Sequence, residues 1–459
     1  MKTYESMKSS TVFWLGMIPE HWECLKIGSL FSQRKAKVSD KDYAPLSVTK
    51  MGILPQLKNA AKTNDGDNRK LVCAGDFVIN SRSDRKGSCG VSELNGSVSL
   101  INLVLTPRSE WNNRYAHYLL RSQPFSEEYY RYGRGIVADL WTTRFSEMKN
   151  ILLPVPPREE QDQIVRFLDW KVSEINKLIL LRKKQIERLG DLKRTVVSHA
   201  VTRGLNSDVK MKDSGINWLG DIPENWRLIR INNIADKAQP YSIGDGDHGL
   251  IKPSDYTDSG IPYIRVQNLG WATEIDTSNI VYISEETNQK IQSSTLRPND
   301  VLFAKTGGTI GKTAIVPESM PIANTTSHVG KITVSPQYCS KYVFYVLSSH
   351  IGYKQFWEVA AQKTTRPELT IGEIKQIFLT VPPTIEEQQD IVRYLDEQSE
   401  KINTAIANKQ KQIQILQEFK THLISDVVTG KIDVRGIEIP EYTVEKMENF
   451  EAEKQEYEE

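Results

Sequence analysis

The run best suited to chemistry is Thr306-Gly-Gly-Thr-Ile-Gly-Lys312-Thr313, a glycine-rich stretch with a lysine that follows apolar VLFA. A phosphate-cradling loop needs a glycine first, a lysine later and a helix N-terminus behind both. Here Thr306 stands where the first glycine is required, and the continuation AIVPES reads as a strand carrying Pro317. Nucleotide hydrolysis is therefore a poor fit. A loop whose small residues admit a nucleic-acid backbone fits better, with Lys305 and Lys312 reaching phosphates and Thr309 between them. The seven scattered histidines show neither metal-ligand nor triad spacing. Paired catalytic carboxylates, an NPPF-type adenine-methylase motif and GxGxxG are all missing from the sequence. As catalytic machinery the chain reads as empty, and no metal site is expected.

Other residues suit recognition of DNA. Ser81-Arg-Ser-Asp-Arg-Lys86 places Arg82, Arg85 and Lys86 in six positions, fit for bidentate guanine contact or phosphate neutralisation. In GIPYIRVQNL, strand alternation would point Arg265 and Gln267 to one face, with Asn268 beside them; Gln and Asn pair with adenine edges. His328 follows the hydroxyls of Thr325, Thr326 and Ser327, and Lys50 completes the candidate DNA-binding set. An ordinary solvated loop or polar sheet face is the competing reading for each.

What must position these groups is a repeat. LPVPPREEQDQIVRFLDWKVSEINKL, from Leu153, returns as TVPPTIEEQQDIVRYLDEQSEKINTA, from Thr380, at an offset of 227 after one inserted residue. Each copy has an a/d seam sustained over about five heptads, as in a coiled coil. The apolar seam is Leu168, Ile175, Ile179, Ile186, Leu189 and Val196 in the first copy. In the second it is Leu395, Ile402, Ile406, Ile413, Leu416 and Leu423. About 40 residues make a helix of roughly 60 Å. Arg182 and Lys193 in one copy, Lys409 and Lys420 in the other, put charge on the seam, where its use is to set register and partner. Thr384 with Glu387 offers a capping box to the second helix.

A second repeat, WLGMIPEHW at 14–22 against WLGDIPENW at 218–226, makes the chain a tandem of one design. Each half has a WLG segment, a variable β-rich region and a long helix. Trp14, Trp22, Trp218 and Trp226 read as core anchors. Single helices are expected over about 114–131 and near KYVFYVLSSHIGYKQFW. The fold class is α+β: two β-rich globular domains, each followed by a long helix, the helices pairing as an antiparallel coiled coil with pseudo-two-fold symmetry. The expected divisions are 1–153, 154–212, 213–379, 380–433 and an acidic tail, 434–459.

Composition agrees with a soluble protein of several domains: 39% hydrophobic and 25% charged over 459 residues. Apolar runs fall short of the ~18 residues of a membrane span, and the N-terminus lacks a signal-peptide core. Four unpaired cysteines point to a reducing cytoplasm. The net charge of +1 hides an asymmetry: residues 437–459 hold nine Glu and two Lys, a net of −7, so the rest carries +8. That body suits an acidic partner such as nucleic acid, and the tail reads as a solvated, partly disordered extension.

The twin WLG-x-IP-E-x-W segments, the twin PP…EEQ…IVR[FY]LD helices, and GIPYIRVQNL with LRPNDVLFAKTGGTIGKTAIV together resemble the DNA-specificity subunit of type I restriction-modification systems. The resemblance spans nearly everything except the acidic tail. It implies a non-catalytic chain with two target-recognition domains, each reading half of a split double-stranded DNA site. It further implies an antiparallel coiled coil that sets the gap and docks methyltransferase subunits. Methyltransferase and restriction subunits would supply catalysis, with S-adenosylmethionine, ATP and magnesium. Base-contact residues differ between members, so none is carried over. The alternative is a free-standing DNA-binding or scaffold protein without methylase partners.

Overall fold

A computed structural model of the chain describes residues 2–57, 66–108, 111–135, 141–246, 249–271, 274–320, 322–360 and 367–443. These fall into two compact units, one built from the residues up to 184 with those from 409, the other from residues 185–408. The expected long helices run Arg158–Arg203 and Ile385–Val428, and each is shared between the units.

Within the first unit the start of the first long helix packs on the end of the second: Ile164, Leu168, Ile175 and Ile179 share a core with Leu423, Val427 and Val428. Within the second unit the end of the first helix, Val197, Ala200 and Val201, meets the start of the second, Ile391, Val392 and Leu395. The pairing is therefore antiparallel. Between Lys409 and Lys420, only Lys409, Ile413, Leu416 and Lys420 are shielded from solvent, the 4-3-4 spacing of a heptad seam. The seam lysines do not merely reach for water. Lys193 Nζ donates to Asn403 Oδ1 at 3.2 Å, and Lys420 Nζ to Asn176 Oδ1 at 3.1 Å. The two pairs are the same pair under the 227 offset. Burial pushes both ammonium groups below the ordinary lysine range, with Arg121 adding to the shift at Lys420.

Each long helix is closed by a glycine in the left-handed region, Gly204 at φ +74° and Gly430 at φ +77°. There the chain passes under a tryptophan. A Cβ on Gly204 would lie 3.3 Å from Trp226, and one on Gly430 2.3 Å from Pro19 and 3.1 Å from Trp22. Trp22 and Trp226 are fully buried, while Trp14 and Trp218 are only partly so.

The β-rich regions are antiparallel sheets with few exceptions. In the first unit four strands lie in the order Cys89–Val91, Phe77–Asn80, Asn102–Pro107, Phe31–Gln33, and a three-stranded sheet is centred on Arg69–Val72. In the second, the strands Val329–Ile332 and Val301–Ala304 pair at the centre of one four-stranded sheet, and a second sheet holds a single parallel pair, Tyr263 opposite Asn324. A short ladder closes each region beside its long helix: Leu153 opposite Leu25, Leu379 opposite Ile229.

Three local expectations need correction. The helix expected over 114–131 is two, Asn113–Arg121 and Gln123–Arg131. Ser122 breaks it, capping Phe125 N–H with its hydroxyl, and Pro124 has no N–H to continue the ladder. Its counterpart also divides, into Ser340–Ser348 and His350–Ala360, with the Ser349 hydroxyl bonded to Val346 O. Thr384 does accept from Glu387 N–H, but the Glu387 carboxylate accepts from Trp226 Nε1 at 2.9 Å instead of turning back. Finally, the tail is not solvated from its start. Gln163 Nε2 donates to Val434 O and Ile437 O, and Ser173 and Lys177 donate to Thr443. The expectation for residues 444–459 lies outside the described residues.

The Asn113–Arg121 helix carries a titration with a clear sign. His117 is packed under the strand at Val91, whose N–H donates to Nδ1, with Arg121 Nη1 2.7 Å from Nε2. Burial, then Arg121 and Arg114, push the imidazole down to about 3. The folded protein thus resists a proton the unfolded chain accepts near 6.5, so the stability is complete above pH 6.5 and fades as pH falls toward 3. A Phe, Phe344, occupies the matching position in the second unit. His117→Phe is expected to remove up to ~4 kcal/mol of acid sensitivity from the first unit, seen as a flatter melting temperature between pH 7 and 4; an unchanged pH profile would refute it.

Candidate nucleic-acid interface

The twin EEQ motif explains how each variable domain is held. Gln161 Oε1 accepts from Asn112 N–H and Gln388 Oε1 from Cys339 N–H, both at 2.9 Å, and Asn112 and Cys339 cap the helices Asn113–Arg121 and Ser340–Ser348. One helical turn into those helices, Tyr115 hydroxyl donates to Pro154 O, and Tyr342 hydroxyl to Thr380 O. A turn later, Asp169 accepts from Arg114 and Tyr118, and Asp396 from Lys341 and Tyr345. The partner glutamates seat the WLG segments: Glu160 takes Tyr4 and His21, and Glu387 takes Trp226. The same clamp thus holds two domains whose other residues differ. RYAHYLL against KYVFYVL, also 227 apart, was the readable signal for it.

On the first domain Arg82, Arg85 and Lys86 sit on an exposed loop whose centre is a single 3-10 turn, Ser83–Arg85. Arg82 bridges Thr142 through its backbone, and its side chain is exposed. Lys86 is paired with Glu127 at 2.8 Å and lies over Tyr130; Arg85 is 3.8 Å from Asp84. Lys50 is exposed in the turn between Leu46–Thr49 and Gly52–Pro55. Beside the Arg82 loop is an open cleft of about 660 Å³ whose cations include Lys35, Lys70, Arg144 and Lys149 as well as Arg82. Sequence reasoning missed these four, since they lie apart from Arg82 along the chain and nothing in the sequence brings them to it.

On the second domain the expected loop forms differently. Gly307–Thr309 is a 3-10 turn followed by the strand Thr313–Ile315, so no helix stands behind the glycines. Lys305 is not a free cation. It is 4% exposed, 2.8 Å from Glu368 and 3.1 Å from Asp245, because the strand before it runs inward. Thr309 hydroxyl is bonded back to Thr306 O, while Lys312 is half-buried and His328 exposed. The strand expected to alternate Arg265 and Gln267 ends at Ile264, and Val266–Asn268 is a 3-10 turn. Consequently Asn268 is buried, accepting from Arg265 N–H and donating to Asp276 O; it presents nothing to a base. Arg265 donates to Asn279 O and lies over Tyr256, and Gln267 alone of the three is exposed. An aromatic pair beside the glycine loop escaped the sequence reading. Trp271 and Tyr353, both exposed, have ring centroids 6.0 Å apart, and a Cβ on Gly311 would fall 2.6 Å from Tyr353.

Among the described residues no cluster of His, Cys, Asp or Glu is placed to hold a metal ion, and no helix is long and apolar enough to cross a membrane.

This architecture resembles that of known proteins. Residues 223–417 match the family model of the type I restriction modification DNA specificity domain. The type I restriction enzyme MjaVIII specificity subunit of Methanocaldococcus jannaschii is 24% identical over 433 residues, 92% of this chain and 95% of its own. The EcoBI specificity subunit of Escherichia coli is 29% identical over 308 residues, 62% of each chain. A solved chain described under "complex assembly and conformational transition of the type I R-M system" superposes with a TM-score of 0.62 at 16% identity, covering 90% of this chain and 99% of its own. That likeness is one of fold. Residues 223–417 thus match a type I restriction modification DNA specificity domain, and nearly the whole chain is similar to specificity subunits of type I restriction enzymes.

Proposed function

We propose that this chain selects the DNA sequence for a type I restriction-modification complex in the cytoplasm, each globular domain reading one half of a bipartite site in double-stranded DNA. The paired long helices hold the two half-sites a set distance apart and present docking surfaces to methyltransferase subunits. The chain itself is non-catalytic. Methyl transfer and ATP-driven cleavage belong to methyltransferase and restriction subunits, which use S-adenosylmethionine, ATP and magnesium. The observation that carries this reading is the repeated clamp: the bonds of Gln161 to Asn112 N–H, Asp169 to Arg114 and Tyr118, and Tyr115 to Pro154 O recur at Gln388, Asp396 and Tyr342, while the surfaces they hold up differ. A shared mount with two different faces is what a two-part reader requires. Contacts to phosphates would position each face and contacts to base edges specify.

The test is an exchange. Residues 23–152 are replaced by the corresponding segment of another specificity subunit, the chain is co-expressed with its methyltransferase subunit, and modified adenines are mapped across the host genome. The expected result is a split motif in which one half changes and the other half and the gap stay as they were. Changes in both halves would sink the two-reader assignment, and a contiguous motif would sink the bipartite one.

A further inference from the structure

Lys35, Arg82, Arg144 and Lys149 converge on the open cleft of the first domain, and all four are exposed, with no side-chain partner among the described residues. Their neighbours show what pairing looks like in the same domain. Arg34 donates to Asp76 at 2.7 and 3.0 Å, Arg69 to Ser97 at 2.8 Å, and Lys70 to the carbonyls of Leu100 and Asn102 at 2.8 and 2.6 Å. Those cations are structural. The four on the cleft are left over, and no carboxylate is among the described residues that line it.

Four uncompensated cations around one depression repel each other unless an anion comes between them. A polyanion neutralises them best, releasing its own counterions as it does so.

The second domain has the same backbone frame and a different charge. The bridge Arg82–Thr142 of the first domain is the bridge Thr306–Glu368 of the second. Ser81, before that bridge, corresponds to Lys305, whose charge is spent on Asp245 and Glu368. Arg144 corresponds to Thr370, which caps a turn in a reciprocal box with Glu373. Lys149 has a counterpart in Lys375, but at the positions of Ser81 and Arg144 the second domain holds an internally paired lysine and a capping threonine, so it gathers less free positive charge there.

We propose that this cleft is a seat for consecutive phosphates of the DNA backbone, formed by Lys35, Arg82, Arg144 and Lys149, and that the second domain lacks it. Backbone anchoring is then unequal: the first domain holds the duplex by charge, and the second relies more on contacts that salt does not weaken. This rests on the specificity-subunit reading above and deepens it.

The experiment uses the assembled specificity–methyltransferase complex and titrates a cognate duplex across a range of salt concentrations. Lys35→Gln, Arg82→Gln, Arg144→Gln and Lys149→Gln are made singly and together. All four side chains are exposed, and equal melting curves would establish that the variants fold. Each lost phosphate contact flattens the slope of log affinity against log salt by about 0.9. The fourfold variant is therefore expected to lose ~3–4 units of slope, and to weaken on cognate and non-cognate DNA alike. Lys312→Gln with Lys375→Gln, the control on the second domain, is expected to change the slope by less than half as much. An unchanged slope in the fourfold variant, with sequence-specific binding intact, would overturn the seat and leave the specificity role standing. A change in the preferred base with Arg82→Gln alone would overturn its assignment to phosphate. Loss of all sequence preference in the unmodified complex would instead reject the specificity reading itself.

Discussion

Trp226→Ala is expected to cost the second unit about 3–5 kcal/mol, the range for removing a large aromatic from a packed core. The indole is fully buried, packs edge-on to Tyr342, and covers Gly204 at the end of the first long helix. It also donates to Glu387, so its loss strips a partner from the carboxylate that seats the start of the second long helix. The cost thus combines a cavity with a carboxylate left without its donor. Denaturant unfolding of the full chain is expected to separate into two transitions, with only that of the second unit moved to lower denaturant. Trp22→Ala would do the same to the first unit, where the matching glutamate is held by Tyr4 and His21 instead. A single unfolding transition shifted as a whole would show that the units do not melt independently, and a shift below about 1 kcal/mol would remove the anchor role from Trp226.

The opposite sign is expected for Lys193→Leu with Lys420→Leu. Each lysine sits at a seam position, pays for burial with a depressed proton affinity, and recovers one hydrogen bond to an asparagine. Leucine there adds apolar burial and removes a desolvated charge, worth about 1–2 kcal/mol per site. The double variant should therefore resist denaturant better. What it loses is discrimination. A Lys opposite an Asn permits one register of the antiparallel pair, and a leucine permits neighbouring ones and other partners. Gel filtration and the spacing of modified half-sites are the readouts: a more stable chain with mixed oligomers or mixed spacing is expected. A destabilised double variant would mean that the asparagine bonds contribute more than burial costs.

Periodicity was the most legible property of the chain. The heptad seam from Leu168 to Val196, and from Leu395 to Leu423, needs only the identity of residues along one helix, and the antiparallel packing of the two helices follows it. The matching tryptophans Trp22 and Trp226 were equally readable as core, because size and apolarity decide burial almost alone. What failed depended on residues far apart in the chain. Lys305 looked like an exposed cation beside a glycine loop, and the carboxylates that claim it, Asp245 and Glu368, lie 60 and 63 positions away. Asn268 looked like a base reader on a strand, but a 3-10 turn intervened and its amide was used to close that turn. The cleft cations Lys35, Arg144 and Lys149 lie far from Arg82 in the sequence, and only the folded chain brings them to it. The Ser122 and Ser349 breaks are more local: Pro124, two residues after Ser122, is by itself enough to end a helix.

The way the chain is divided between its units has a consequence for synthesis on the ribosome. The second unit is contiguous, residues 185–408, and can close as soon as those residues have emerged. The first unit cannot. Its WLG segment waits for Gly430 to pass beneath Trp22, Tyr115 for the carbonyl of Val428, and the Lys2 carbonyl for the N–H of Asp433. The part made first is thus finished last, holding the apolar face of Ile164, Leu168 and Ile175 unpaired while more than two hundred further residues are added. Closure across so long a separation is slow and leaves that face open to other chains. In a nascent polypeptide, the order of completion runs against the order of translation.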